Sequence, residues 1–144
     1  MTEVMEAVFA RSEGALVSRV SEALAEEADA RSRLLGLGPV VLRALADDRL
    51  VQRIVFVEAP AALGWSRWRA LDGGRSQRLI AELLESLGAR EQLVAGVEPT
   101  LAAQLLLGAV NEAGMRVAAT DGRDLAAASV QLTLLCRGLL IEQS

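Results

Sequence analysis

Only one stretch of this chain has the residues of a good β-strand, Leu50–Val57, LVQRIVFV, and no second stretch of that quality exists to pair with it. A strand's backbone is satisfied by neighbouring strands, and sheets smaller than about three strands are marginal in water. The segment is therefore read as helix rather than strand, in spite of its β-branched content. On a helix Leu50, Val51, Ile54, Val55, Val57 and Ala61 share one arc, with Gln52 and Arg53 off it. Pro60 follows, and in an α-helix it deletes the hydrogen bond to the carbonyl of Phe56 and bends the rod. Glu58 falls near the centre of the apolar arc, so the reading places it facing inward.

The other segments are helical by periodicity. Met5, Val8, Phe9, Leu16, Val20 and Leu24 recur at helical spacing between Glu3 and Ala28. Asp29 is a candidate cap for a helix over roughly 30–46, with a kink or break expected at Gly36, Gly38 and Pro39. Asp47-Asp48 offers another cap. Residues 65–87 form a further helix interrupted at Gly73-Gly74, and Gly88–Glu98 is a connector. Pro99 suits a first helical position and opens a helix to Thr120. The turn Thr120–Asp124 leads into a last helix expected to reach Glu142. The expectation is an all-α fold of about six helices in one domain spanning 1–144.

What the chain lacks narrows its chemistry. It has no His, no Tyr and no Lys, and Cys136 is its single cysteine. Ser-His and Cys-His nucleophile pairs, a His-ligated zinc and a Schiff-base lysine are thereby excluded within one chain. No cofactor and no metal are expected. One cysteine cannot make an intrachain disulfide, and no apolar run or amino-terminal pattern suggests a membrane span or export. A cytoplasmic setting is the expectation. The formal net charge of -4 argues against direct nucleic-acid binding, which needs a basic patch.

The last two helices bear on assembly. Leu125, Leu132, Cys136 and Leu139 make one apolar stripe, and Val130, Leu134 and Ile141, with Ala127 and Gly138, make a second. A surface helix needs one such stripe. The preceding helix is apolar nearly all round, with small residues at Ala102, Ala109 and Ala113. Either this pair is central to a monomer, or both helices join those of a second copy in a four-helix interface. The second reading assigns Leu106, Val110, Val117, Val130, Leu134 and Ile141 to the interface of a homodimer.

The segments FVEAPAALGWSRWRALD and LLLGAVNEAGMRVA resemble the carboxy-terminal effector-binding and dimerisation domain of TetR-type transcriptional regulators, closest to an actinobacterial branch. The similarity runs over essentially the whole chain and includes the family's long connecting helix. The resemblance implies a dimer made by the last two helices and an apolar effector pocket enclosed by the middle ones. The family's helix-turn-helix head has no counterpart in this sequence, so DNA binding is the activity it implies least here.

Candidate ligand-binding residues are Glu58, Trp65, Trp68, Gln104, Asn111 and Met115. Glu58 is either a polar anchor in the pocket or a core carboxylate bound by a nearby Arg or backbone donors. Trp65 and Trp68, three apart, are either an aromatic wall or hydrophobic core. Gln104, Asn111 and Met115 lie on one side of the central helix, as pocket lining or as a hydrogen-bonded strip. Arg67, Arg69, Arg75 and Arg78 read as a solvated face, Glu112 and Arg116 as an i,i+4 ion pair, and Cys136 as inert core. The leading function is a dimeric domain that binds a small hydrophobic ligand, as a sensor or as partner of a full-length TetR-type regulator. The alternatives are an enzyme with Glu58 as its acid/base group and a purely structural helical dimer.

Overall fold

The computed structural model describes residues 2–143. The chain runs α1 (Thr2–Ala25), α2 (Ala30–Asp47), α3 (Arg49–Arg53), a π-helical turn (Ile54–Glu58), α4 (Ala59–Leu63), α5 (Trp65–Asp72), α6 (Arg75–Ala89), α7 (Pro99–Ala119) and α8 (Leu125–Arg137). The segments α3, π turn and α4 follow one another without a break, so they make one rod and the described residues form seven helical rods. The strand-like segment is helical throughout.

The caps explain the boundaries. Asp29 Oδ1 accepts the Ser32 N–H at 2.8 Å and Asp48 Oδ1 accepts the Val51 N–H at 3.1 Å, each occupying a donor that the first helical turn leaves free. Glu98 does the same for α7, accepting from Thr100 and Leu101 ahead of the first turn that Pro99 opens. Gly73 and Gly74 separate α5 from α6.

Three local expectations are corrected. First, α2 continues unbroken through Pro39. Its missing N–H frees the carbonyl of Leu35, and Thr133 of α8 brings its hydroxyl to 3.4 Å of that oxygen, a secondary contact beside its 3.0 Å bond to Ser129. Gly38 makes the approach possible, because a Cβ there would lie 2.5 Å from Cβ of Leu132. Packing against α8 holds the rod together where proline alone would break it. Second, α8 ends at Arg137 rather than Glu142. The chain beyond it is extended against the α6–α7 connector: Val94 N–H bonds the Leu139 carbonyl and Ile141 N–H bonds that of Gln92. Third, Arg116 pairs with Asp124 at 2.7 Å and not with Glu112. The turn after α7 delivers Asp124 to it.

The core is aliphatic and lies where α1, α2, α6 and α7 meet, with Leu34, Leu42, Leu45, Leu84 and Leu87 fully enclosed. Cys136 is buried there and its thiol is pushed up to about 11 by burial, so it stays protonated and inert. No helix of the described residues is long and apolar enough to cross a membrane.

Candidate functional site

The π turn places the site. Ala59 N–H bonds the carbonyl of Ile54, five residues back. In the same register the Val55 carbonyl would take the N–H of residue 60, which is Pro60 and has none. A buried carbonyl without a partner is costly. Trp68 supplies the missing donor: its indole Nε1–H reaches the Val55 oxygen at 2.7 Å. The indole is fully enclosed, edge-on to Phe56 and Phe9 at centroid distances of 6.2 and 6.5 Å. Trp65 stacks on its outer side at 5.2 Å and is half-exposed. All four aromatic residues of the chain thus form one cluster, and Gly114 admits it to α7, since a Cβ there would meet the Phe56 ring at 2.7 Å.

Two spaces adjoin this cluster. An inner cavity of about 40 Å³ lies between α1, α2, α6, α7 and the π turn, walled by side chains such as Leu16, Val20, Val41, Val55, Ile80 and Val110. An outer groove of about 350 Å³ runs past Trp65, Trp68, Arg69, Gln77, Gln104 and Glu112. Asp72, Leu107 and Asn111 belong to both and form the partition between them.

The partition is polar and buried. Asn111 Nδ2 donates to Asp72 Oδ2 at 2.5 Å. Beside Asp72, from α1, stands the carboxyl of Glu13, which is 5% exposed and whose Oε2 has no hydrogen-bond partner among the described residues. Burial pushes Glu13 up to about 8, the neighbouring Asp72 carboxyl adds to the rise, and Arg75 opposes it. Asp72 is also raised by burial, against the stabilising hydrogen bonds from Asn111 and Glu13. The two acids therefore hold a proton between them at neutral pH. Arg75 lies across Gly14 of α1, with a guanidinium nitrogen 2.6 Å from where a Cβ would sit.

Of the six residues expected to bind ligand, Trp65, Trp68, Gln104 and Asn111 line the outer groove. Met115 packs against the core and lines neither space. Glu58 is corrected. It does not face inward: its side chain is 45% exposed and bonds Arg53 Nε at 3.0 Å on the outer surface. The arc drawn for it assumed a uniform α-helical period. The π turn adds a residue to one turn, so the inward face becomes Val51, Val55, Phe56 and Ala59, while Leu50 and Val57 are exposed. Residues five apart then stack, which is the spacing of the Arg53–Glu58 pair. With Glu58 outside, the acid/base reading loses its only named group.

The interface expectation is corrected in half of its residues. Leu106, Val110 and Val117 are buried within the protomer's own core. Val130, Leu134 and Ile141 are exposed, as are Leu101, Leu105 and Leu135. Ile141 lies past the end of α8. The buried stripe of α8 is the one carrying Leu132 and Cys136, which turns the other outward.

Glu13 and Asp72 were missing from the expected site. Glu13 had a signal: it sits at an inward position of the stripe Phe9, Leu16, Val20 and Leu24, all buried. Asp72 had none, since an Asp before Gly73-Gly74 looks like ordinary turn chemistry.

The sequence of residues 42–139 matches the tetracyclin repressor-like, C-terminal domain. The chain belongs to that family. Among solved structures this tetracyclin repressor-like domain is similar to the fatty acid degradation regulator FadR from Bacillus halodurans, with 20% identity and a TM-score of 0.76 over 99% of this chain and 75% of that one. It is equally similar to the transcriptional regulator FadR from Bacillus subtilis in complex with stearoyl-CoA, again with 20% identity and a TM-score of 0.76, over 96% of this chain and 76% of that one. At that identity the likeness is one of fold. No curated protein matches the sequence of this tetracyclin repressor-like domain.

Proposed function

We propose that the chain is the ligand-sensing and dimerising body of a transcriptional regulator, with the inner cavity as the seat of a small, largely apolar ligand. The observation that carries this reading is the buried partition of Asp72, Leu107 and Asn111 between an aliphatic cavity and an open groove. Small-molecule sites are mostly apolar with a few placed polar groups, and occupied ones measure about 300–1,000 Å³. The inner cavity at about 40 Å³ is a closed form that a ligand has to widen. Widening by displacement of the partition joins it to the groove outside. The ligand named for the Bacillus subtilis FadR, stearoyl-CoA, supports an apolar guest in this fold.

Dimerisation is part of the same proposal, with a corrected interface. A shallow trough between α7 and α8 is floored by Ala109, Ala113, Ala127 and Ala128, and Leu105 of α7 and Leu134 and Leu135 of α8 are exposed. Small residues allow close helix approach, so a second copy, or a full-length regulator of the same family, is the occupant that fits.

Octanol displacement of the uncharged fluorophore N-phenyl-1-naphthylamine tests the ligand reading. Saturable displacement from the wild type and its loss in Leu107→Trp, which fills the partition, are expected. Equal displacement in both proteins would place the binding elsewhere.

A further inference from the structure

The partition has an excess of acceptors. Glu13 and Asp72 present two carboxyl groups to the cavity, and Asn111 spends its amide donor on Asp72. Glu13 is more than nine-tenths buried, lines the cavity, and keeps one oxygen without a partner among the described residues. A buried acceptor of that kind is a cost to the fold unless a donor arrives. Of the charged groups packed around it, Asp72 from α5 repels it and Arg75 from α6 attracts it. Arg69 and Glu112 of the groove lie beyond the partition. Ser76 is the remaining polar residue of the cavity wall.

The geometry points to a ligand whose polar group is a protonated amine, seated between Glu13 and Asp72 with its apolar part in the aliphatic cavity. This rests on the ligand-binding reading of the cavity and names the chemical class that the site takes. An ammonium brings three donors and one positive charge. It satisfies the free oxygen of Glu13, bonds Asp72, and replaces the proton that the two acids otherwise share. A carboxylate brings only acceptors and a third negative group. An alcohol brings one donor and no charge, so it ranks between them.

Charge exchange gives the inference a pH signature. Seating the ammonium releases the carboxyl proton of Glu13, held up to about pH 8, into solvent. Affinity for the amine therefore rises about tenfold per pH unit below that point and levels off above it, while alkylamines stay protonated to about pH 10 as lysine does. Affinity for an alcohol carries no such slope.

Octylamine, octanol and octanoate, compared in the displacement assay over pH 6–9 with wild type, Glu13→Gln and Asp72→Asn, decide the matter. The expected order at the alkaline end is amine, then alcohol, then carboxylate, with the amine ahead of the alcohol by at least about tenfold, in keeping with hydrogen bonds to charged groups. Glu13→Gln is expected to bring the amine down to the alcohol's level and abolish the pH slope. An amine no better than octanol overturns the inference while leaving the pocket intact. So does an amine preference that survives both substitutions, because it then belongs to the surface. If octanol and octylamine both fail to displace the fluorophore, the cavity reading falls together with this one.

Discussion

Two glutamates stand within apolar stretches of this chain, Glu13 on α1 and Glu58 at the end of the π turn, and the fold treats them oppositely. Glu13 stays on the inward stripe of a regular helix, is buried beside a second acid, and holds its proton to about pH 8. Glu58 is carried to the surface by one extra residue in a turn and joins an exposed ion pair with Arg53. Their local sequences look alike, since each is flanked by aliphatic residues at helical spacing. What separates them is the phase of the helix, and that phase is fixed by a proline and by the indole that completes its missing hydrogen bond.

The comparison breaks most sharply at Trp68. Trp68→Ala removes a fully buried aromatic and orphans the Val55 carbonyl, and a loss of about 4 kcal/mol or more is expected in urea unfolding. Trp68→Phe keeps most of the packing and should cost about 1–3 kcal/mol, the penalty of the unsatisfied carbonyl. A Phe variant as stable as wild type would show that the indole bond does not hold the π register.

Glu13→Gln is next in size, and its effect depends on pH. Because the folded carboxyl is raised above its unfolded value, the unfolded chain gives up its proton first as pH rises. The wild type therefore loses stability between the ordinary carboxylate range and about pH 8. The Gln variant has no proton to lose. The two proteins should be equally stable at about pH 4 and below, and differ by on the order of a few kcal/mol, in favour of the variant, above about pH 8. Parallel stability curves for the two would remove the buried acid pair from the account.

Gly114→Ala tests the seat of the π turn from the α7 side. A methyl group there meets the Phe56 ring at 2.7–3.0 Å, and overpacking of this kind costs about 1–3 kcal/mol. Glu58→Gln completes the comparison with the smallest effect. An exposed pair such as Arg53–Glu58 contributes about 0–1 kcal/mol, so thermal unfolding should barely move. A large loss would return Glu58 to the interior.

Much of the fold was legible because it follows from local chemistry. Asp29, Asp48 and Pro99 mark helix starts by satisfying or lacking particular backbone donors, and Gly73-Gly74 marks a break, all within one turn of chain. The site was legible only in part. Trp65, Trp68, Gln104 and Asn111 meet at the outer groove, yet Asp72 carried no signal, because its importance depends on Asn111 39 residues away. Periodicity misled at α7 for a related reason. A helix apolar nearly all round cannot show which of its faces meets its own core, and Leu106, Val110 and Val117 proved to be core rather than interface.

The sequence by itself determined that the chain is helical, where most of its rods begin, and that it has no histidine or lysine chemistry. A single strand-like stretch has nothing to pair with, and caps act over a few residues, so neither conclusion waits on folding. Only the tertiary structure decided the helical phase around Pro60 and thus which glutamate is buried. It also decided that α2 passes through Pro39 intact. Both turn on the carbonyl that a proline leaves without a donor. The group now close to each carbonyl, Trp68 Nε1 or Thr133 Oγ1, comes from a different helix.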